Sequence, residues 1–125
     1  MTYSLLPHKG AFSAESVVHP AYELNVPAFT LPGKAEKKQF LSVGAPNIIA
    51  EAVKPAEDDS NAFVVRLYEC EGTKTKAKIT AGIPVSGAEL TNLLEDTDEE
   101  IPVRDGAVEL SFRPFEIKTV KFRKQ

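Results

Sequence analysis

The chain has 125 residues, 42% of them hydrophobic and 26% charged, with a net charge of -3. That length suits one domain, or one domain with a piece of a neighbour, and it is enough to bury a real core. The interspersed charges exclude a basic nucleic-acid footprint, no apolar run approaches the roughly 18 residues of a membrane span, and the lone Cys70 excludes an internal disulfide.

Along the chain, the opening "MTYSLLPHKG" lacks the basic start and sustained apolar core of a secretory signal. With no signal and a single cysteine, a cytoplasmic location is the expectation. Residues 1–31 carry Tyr3, Leu5, Leu6, Phe12, Tyr22, Leu24 and Phe29, too apolar for a disordered tail and too few for a core of their own. This partly irregular segment must lean on the rest of the chain or on a partner. Residues 32–39, with Gly33 and three lysines, read as a linker or solvated loop.

From residue 40 onward the pattern has period two, which predicts strands. Asn47 to Lys54 is one. In Phe63 to Cys70, Phe63, Val65 and Leu67 alternate with Val64, Arg66 and Tyr68, and Glu69 shares the core parity. Lys74 to Ile83 offers Ala77, Ile79, Ala81 and Ile83 to one face and lysines to the other. Glu89 to Leu94 is predicted as a strand, although Leu90, Leu93 and Leu94 also have helical spacing. The acidic run Glu95 to Glu100 reads as a solvated, edge-protecting turn. Ala107 to Arg113 alternates Val108, Leu110 and Phe112 with polar residues. In Phe115 to Phe122 the apolar side switches between Ile117 and Val120, which calls for a bulge or for burial on both sides. "PAEDDSN" and "EGTKT" carry hairpin-turn chemistry, and Asp105-Gly106 sits between strands. The fold class is all-β, an antiparallel sandwich of immunoglobulin-like or Greek-key type.

Chemistry is harder to find. His8 and His19 are the only histidines and lie far from a zinc-ligand spacing; ordinary loop hydrogen bonds suit them better. Cys70 lacks an activating motif, the glycines are scattered singly, and the acidic run lacks the glycine-bearing spacing of a calcium loop. Sugar platforms stack rings on exposed aromatics, yet there is no tryptophan and the phenylalanines fall mostly on apolar faces. Composition and spacing therefore reach a sandwich and stop short of a function.

The ordered set "NIIAEAVKPAEDDSNAFVVRLYECEG" (47–72), "TNLLE" (91–95) and "RPFEIKTVKF" (113–122) resembles the C-terminal β-sandwich of family 38 glycoside hydrolases, the α-mannosidases. "TYSLLPHKG" (2–10) and "AYELNVP" (21–27) resemble the end of that family's preceding β-domain. The resemblance implies three parts: 1–31 from the preceding domain, 32–39 a linker or loop, and 40–125 the sandwich. It implies a parent enzyme that hydrolyses α-mannosides with retention, its zinc and its nucleophile lying in a catalytic domain absent here. Met1 then reads as added to an excised piece that opens inside a strand.

No catalytic residue is expected in this chain, and the implied partners are the catalytic and preceding β-domains. His8, Arg66, Tyr68 and Glu69 are the candidates for docking them or for touching substrate at the cleft rim. Docking is favoured for Arg66 and Tyr68, whose side chains join apolar area to a polar tip, with Glu69 pairing a lysine or arginine. The alternatives are an independent carbohydrate-binding module and a protein–protein interaction sandwich. An excised piece would also bare apolar surface on residues 1–31 and form a homodimer.

Overall fold

The computed structural model describes residues 3–125; Met1, read as an added start, and Thr2, which opens the first resemblance block, lie outside them. Eight strands make two antiparallel sheets. They are β1 (Leu41–Val43), β2 (Ile48–Pro55), β3 (Ala62–Glu69), β4 (Thr75–Ala81), β5 (Val85–Thr91), β6 (Thr97–Ile101), β7 (Ala107–Phe112) and β8 (Ile117–Lys124). The smaller sheet runs β1-β4-β7 and the larger β2-β3-β8-β5-β6, so the last strand enters the centre of the larger sheet between β3 and β5.

The alternation read from the sequence sets the core. Phe63, Val65 and Leu67 of β3, Val120 and Phe122 of β8, and Ala88 of β5 meet Ala77, Ile79 and Ala81 of β4 and Val108, Leu110 and Phe112 of β7. The rings of Phe63 and Phe122 stack at 5.1 Å, cross-strand partners on the central pair. Burying this set supplies the main driving force for closing the two sheets.

Several expectations are refined. β8 is buried on both sides at Thr119, Val120, Lys121 and Phe122, which accounts for its mixed pattern without a bulge, and Phe115 lies in the turn before it at φ 57°. Asp105 and Gly106, at φ 50° and 70°, make the tight turn expected of Asp-Gly. "PAEDDSN" does join a hairpin, β2 to β3, whereas "EGTKT" carries the chain from the larger sheet to the smaller. The acidic run is not simply a turn: Thr97–Ile101 is an edge strand on β5, paired through its backbone while its side chains stay wet. Leu93 and Leu94 leave the predicted strand for an exposed turn, in which the Asn92 side chain accepts from the Leu94 and Asp96 N–H groups at 2.8 and 3.1 Å.

The N-terminal segment holds no strand between residues 3 and 40 among the described residues. One turn of π-helix (Ala14–Val18) runs into α1 (His19–Asn25). The local chemistry favours a helix. Ser13 caps the start, accepting from the Ser16 N–H, Glu15 lies in the first turn, and Pro20 falls where the π-turn passes into α1. Pro27 biases Val26 out of the helical region and ends it.

Candidate functional site: the outward face of the larger sheet

Three of the four candidate residues come from β3, the second strand of the larger sheet, and they part company there. Glu69 follows Phe63, Val65 and Leu67 inward and is 1% exposed. Its Oε1 accepts from the Glu71 N–H (2.8 Å) and the Asn47 amide (2.9 Å); its Oε2 accepts from the N–H groups of Gly72 (2.7 Å), Thr73 (3.1 Å) and Phe115 (3.0 Å). Burial pushes the carboxyl up, but the donors from Phe115, Glu71, Asn47 and Gly72 outweigh it and hold the pKa at about 2. The expected lysine or arginine partner is replaced by backbone. Glu69 ties the β3–β4 connection to the turn before β8, and Gly72 is needed there: at φ 72°, an added Cβ would stand 2.7 Å from the Phe115 ring.

Arg66 and Tyr68 point outward, on the side away from the core. Tyr68 is half-buried because α1 lies over it. The two hydroxyls of Tyr22 and Tyr68 share a hydrogen bond of 3.1 Å, and burial together with that bond pushes the Tyr68 phenol up. Two further clips hold the helix: the Ala14 N–H donates to Glu71 at 2.6 Å, and His19 Nε2 donates to the Pro46 carbonyl at 2.9 Å. Cys70, half-buried next to this contact, has its thiol pushed up by burial and by Glu71 and Glu69, the opposite of an activated nucleophile. His8 stands apart from the β3 residues. It is exposed, lies 3.3 Å from the Lys9 carbonyl, and lines a groove with Ser16, Val17 and Pro20 inside the N-terminal segment.

The rest of this outward face carries a charge lattice that its sequence spacing does not announce. Lys121 on β8 is 7% exposed and donates to Asp58 at 2.7 Å from the β2–β3 loop. Glu95, at φ 69° in the β5–β6 turn, receives Lys54 at 2.5 Å and the Glu57 N–H at 2.8 Å, so two loops meet over the sheet. Glu89 holds Arg123 and the Thr97 hydroxyl. These partners lie 8 to 63 residues apart in the chain, so only the strand order brings them together. Arg66 is the exception. It is half-buried in the middle of β3, its Nε–H is enclosed, and no hydrogen bond or ion pair reaches its side chain among the described residues.

Among the described residues no group of three or more His, Cys, Asp or Glu side chains could hold a metal ion. Nor is any described helix long and apolar enough to cross a membrane.

Fold and face together define a two-sheet antiparallel sandwich with one outward face partly covered by its own loops and helix. Residues 47–120 match the model of the glycosyl hydrolases family 38 C-terminal beta sandwich domain. The chain belongs to that family. It is 35% identical to Alpha-mannosidase 2C1 of Mus musculus over 95% of its own length, 36% identical to Alpha-mannosidase 2C1 of Homo sapiens over 93%, and 33% identical to Alpha-mannosidase G of Dictyostelium discoideum over 97%. The chain spans 12% of the length of each of these relatives.

Proposed function

We propose that this sandwich is a non-catalytic part of a larger α-mannosidase, docked against that enzyme's preceding β-domain and catalytic domain through the N-terminal segment and the outward face of the larger sheet. One observation carries the reading. Leu5, Phe29 and Leu31 are 92%, 95% and 89% exposed, and Leu6, Phe12, Val26 and Phe40 are exposed beside them in sequence. That much bare apolar surface on one segment marks a contact made with something else. In this reading residues 1–31 belong structurally to the preceding domain, 32–39 bridge to the sandwich, and mannoside hydrolysis with its zinc resides in the other domains. The cytoplasm suits the unpaired Cys70.

The test compares the 125-residue chain with the larger polypeptide. The purified chain is expected to turn over no aryl α-mannoside and to give no saturable heat with mannobiose, while amides of residues 3–31 exchange more slowly in the larger polypeptide than in the chain alone. Turnover by the isolated chain would overturn the reading; saturable heat would move it to a carbohydrate-binding module. The same bare strip is expected to make the isolated chain dimerise, and a monomer by sedimentation at high concentration would refute that.

A further inference from the structure

We infer that Arg66 is the anchor for a carboxylate supplied by another part of the larger polypeptide, seated on the outward face of the five-stranded sheet beside Thr119 and Thr91. The inference rests on the docking reading and names the chemistry of one contact within it.

Three observations on this face converge. The other cations that project from it have carboxylates: Lys54 has Glu57 and Glu95, Lys121 has Asp58, and Arg123 has Glu89 and Glu100. Arg66 has none, although it is half-buried between Ala52 of β2 and Thr119 of β8 in register. A guanidinium stays charged at any ordinary pH, so taking its Nε–H out of water without an acceptor is costly.

The same cross-strand row continues from Thr119 to Thr91 of β5, whose hydroxyl is also enclosed without a partner in a residue only 7% exposed. A fork of N–H donors with hydroxyls in line beside it matches the two oxygens of a carboxylate. Ala52, next to the β-bulge in β2, leaves the approach to Arg66 free of a large side chain. To one side of the row, Ile117 at the start of β8 and Phe115 in the turn before it are 59% and 70% exposed and provide an apolar rim of the kind that surrounds a desolvated charge contact. The occupant is an aspartate or glutamate of the same polypeptide outside these residues, because relatives carry this region as 12% of a much longer chain.

The experiment uses the larger polypeptide with three variants, Arg66→Met, Arg66→Lys and Ile117→Asp, and follows proteolytic release of the sandwich. Arg66→Met is expected to speed release at least about tenfold, since removing one partner of a buried charge pair leaves the other unpaired. In the isolated 125-residue chain the same variant is expected to leave the unfolding midpoint unchanged or to raise it. A loss of stability of equal size in the isolated chain overturns the inference. Carbodiimide treatment of the Arg66→Lys polypeptide is expected to join position 66 to an aspartate or glutamate outside these residues; a cross-link only within them, or none, also overturns it. Release by Ile117→Asp without release by Arg66→Met rejects the carboxylate anchor and leaves docking standing. If neither variant releases the sandwich, the carboxylate anchor and the sheet face as a docking surface both fail, and docking is left to the N-terminal segment alone.

Discussion

The two outward faces of the sandwich carry similar residues in different states. On the smaller sheet Lys76 and Lys78 of β4 stand opposite Ser111 and Glu109 of β7, all exposed, and Lys78 and Glu109 are register partners without an ion pair. On the larger sheet Lys121 stands opposite Val64 and Glu89, all buried, and every polar atom there needs a named partner. The smaller sheet shows a solvent face, where water does the solvating and pairing is optional. The larger sheet shows a face half closed by its own loops and helix, where a group left unpaired among the described residues, such as Arg66, is costly. Substitutions on the two faces should therefore differ by far more than the residue types suggest.

The largest effect is expected where the covered end of the molecule depends on one carboxylate. Glu69→Ala leaves four backbone donors and the Asn47 amide around an empty space, and should lower stability by about 3 kcal/mol or more, read from denaturant unfolding. The pH sign follows from its depressed pKa. With a folded value at about 2 against an ordinary 4.5, the stabilisation is complete above 4.5 and is lost as pH falls toward 2. Glu69→Gln should flatten stability across that window, and an unchanged acid limb would break the assignment.

How much of this was legible in the sequence depended on where the partners sit. The alternation of β3, β4 and β7 was readable because one side of each strand faces the core, and that periodicity is local. β6 was not, because Thr97–Ile101 is an edge strand with no buried residue, so nothing apolar marks its period. β1 is three residues long, below what a pattern can show. Glu69 shared the core parity, which marked it as inward, yet its donors come from residues 71–73 and from Phe115, 46 positions away. Ion pairs such as Lys121 with Asp58 depend on strand order, which no local reading supplies. The helix at 19–25 was hidden by its short length and by a resemblance that spoke for a β-domain.

A smaller effect is expected at the centre of the covered face. Lys121→Met removes the partner of Asp58 and a neighbour of Glu89, yet the apolar stem is replaced, so a loss of about 1 to 2 kcal/mol should appear in chemical unfolding. The tyrosine pair should contribute less still. Tyr22→Phe and Tyr68→Phe each break the same 3.1 Å bond and should each cost about 1 kcal/mol, with the double variant costing little more than either alone. Full additivity of the two would mean that the hydroxyls do not depend on each other and that α1 is held by other contacts.

The smallest effect belongs to the solvent face, and it sharpens the contrast most directly. Lys78→Ala and Glu109→Ala remove opposite charges that face each other across β4 and β7 and yet remain hydrated. Each should shift stability by no more than about 0.5 kcal/mol, and the double variant should show no coupling beyond error. The shift should also be nearly independent of salt, since no close ion pair is there to be screened. A coupling as large as that expected for the Tyr22 and Tyr68 pair would mean that the smaller sheet's outward face is also covered in solution. The asymmetry that supports the proposed docking on the larger sheet would then be lost.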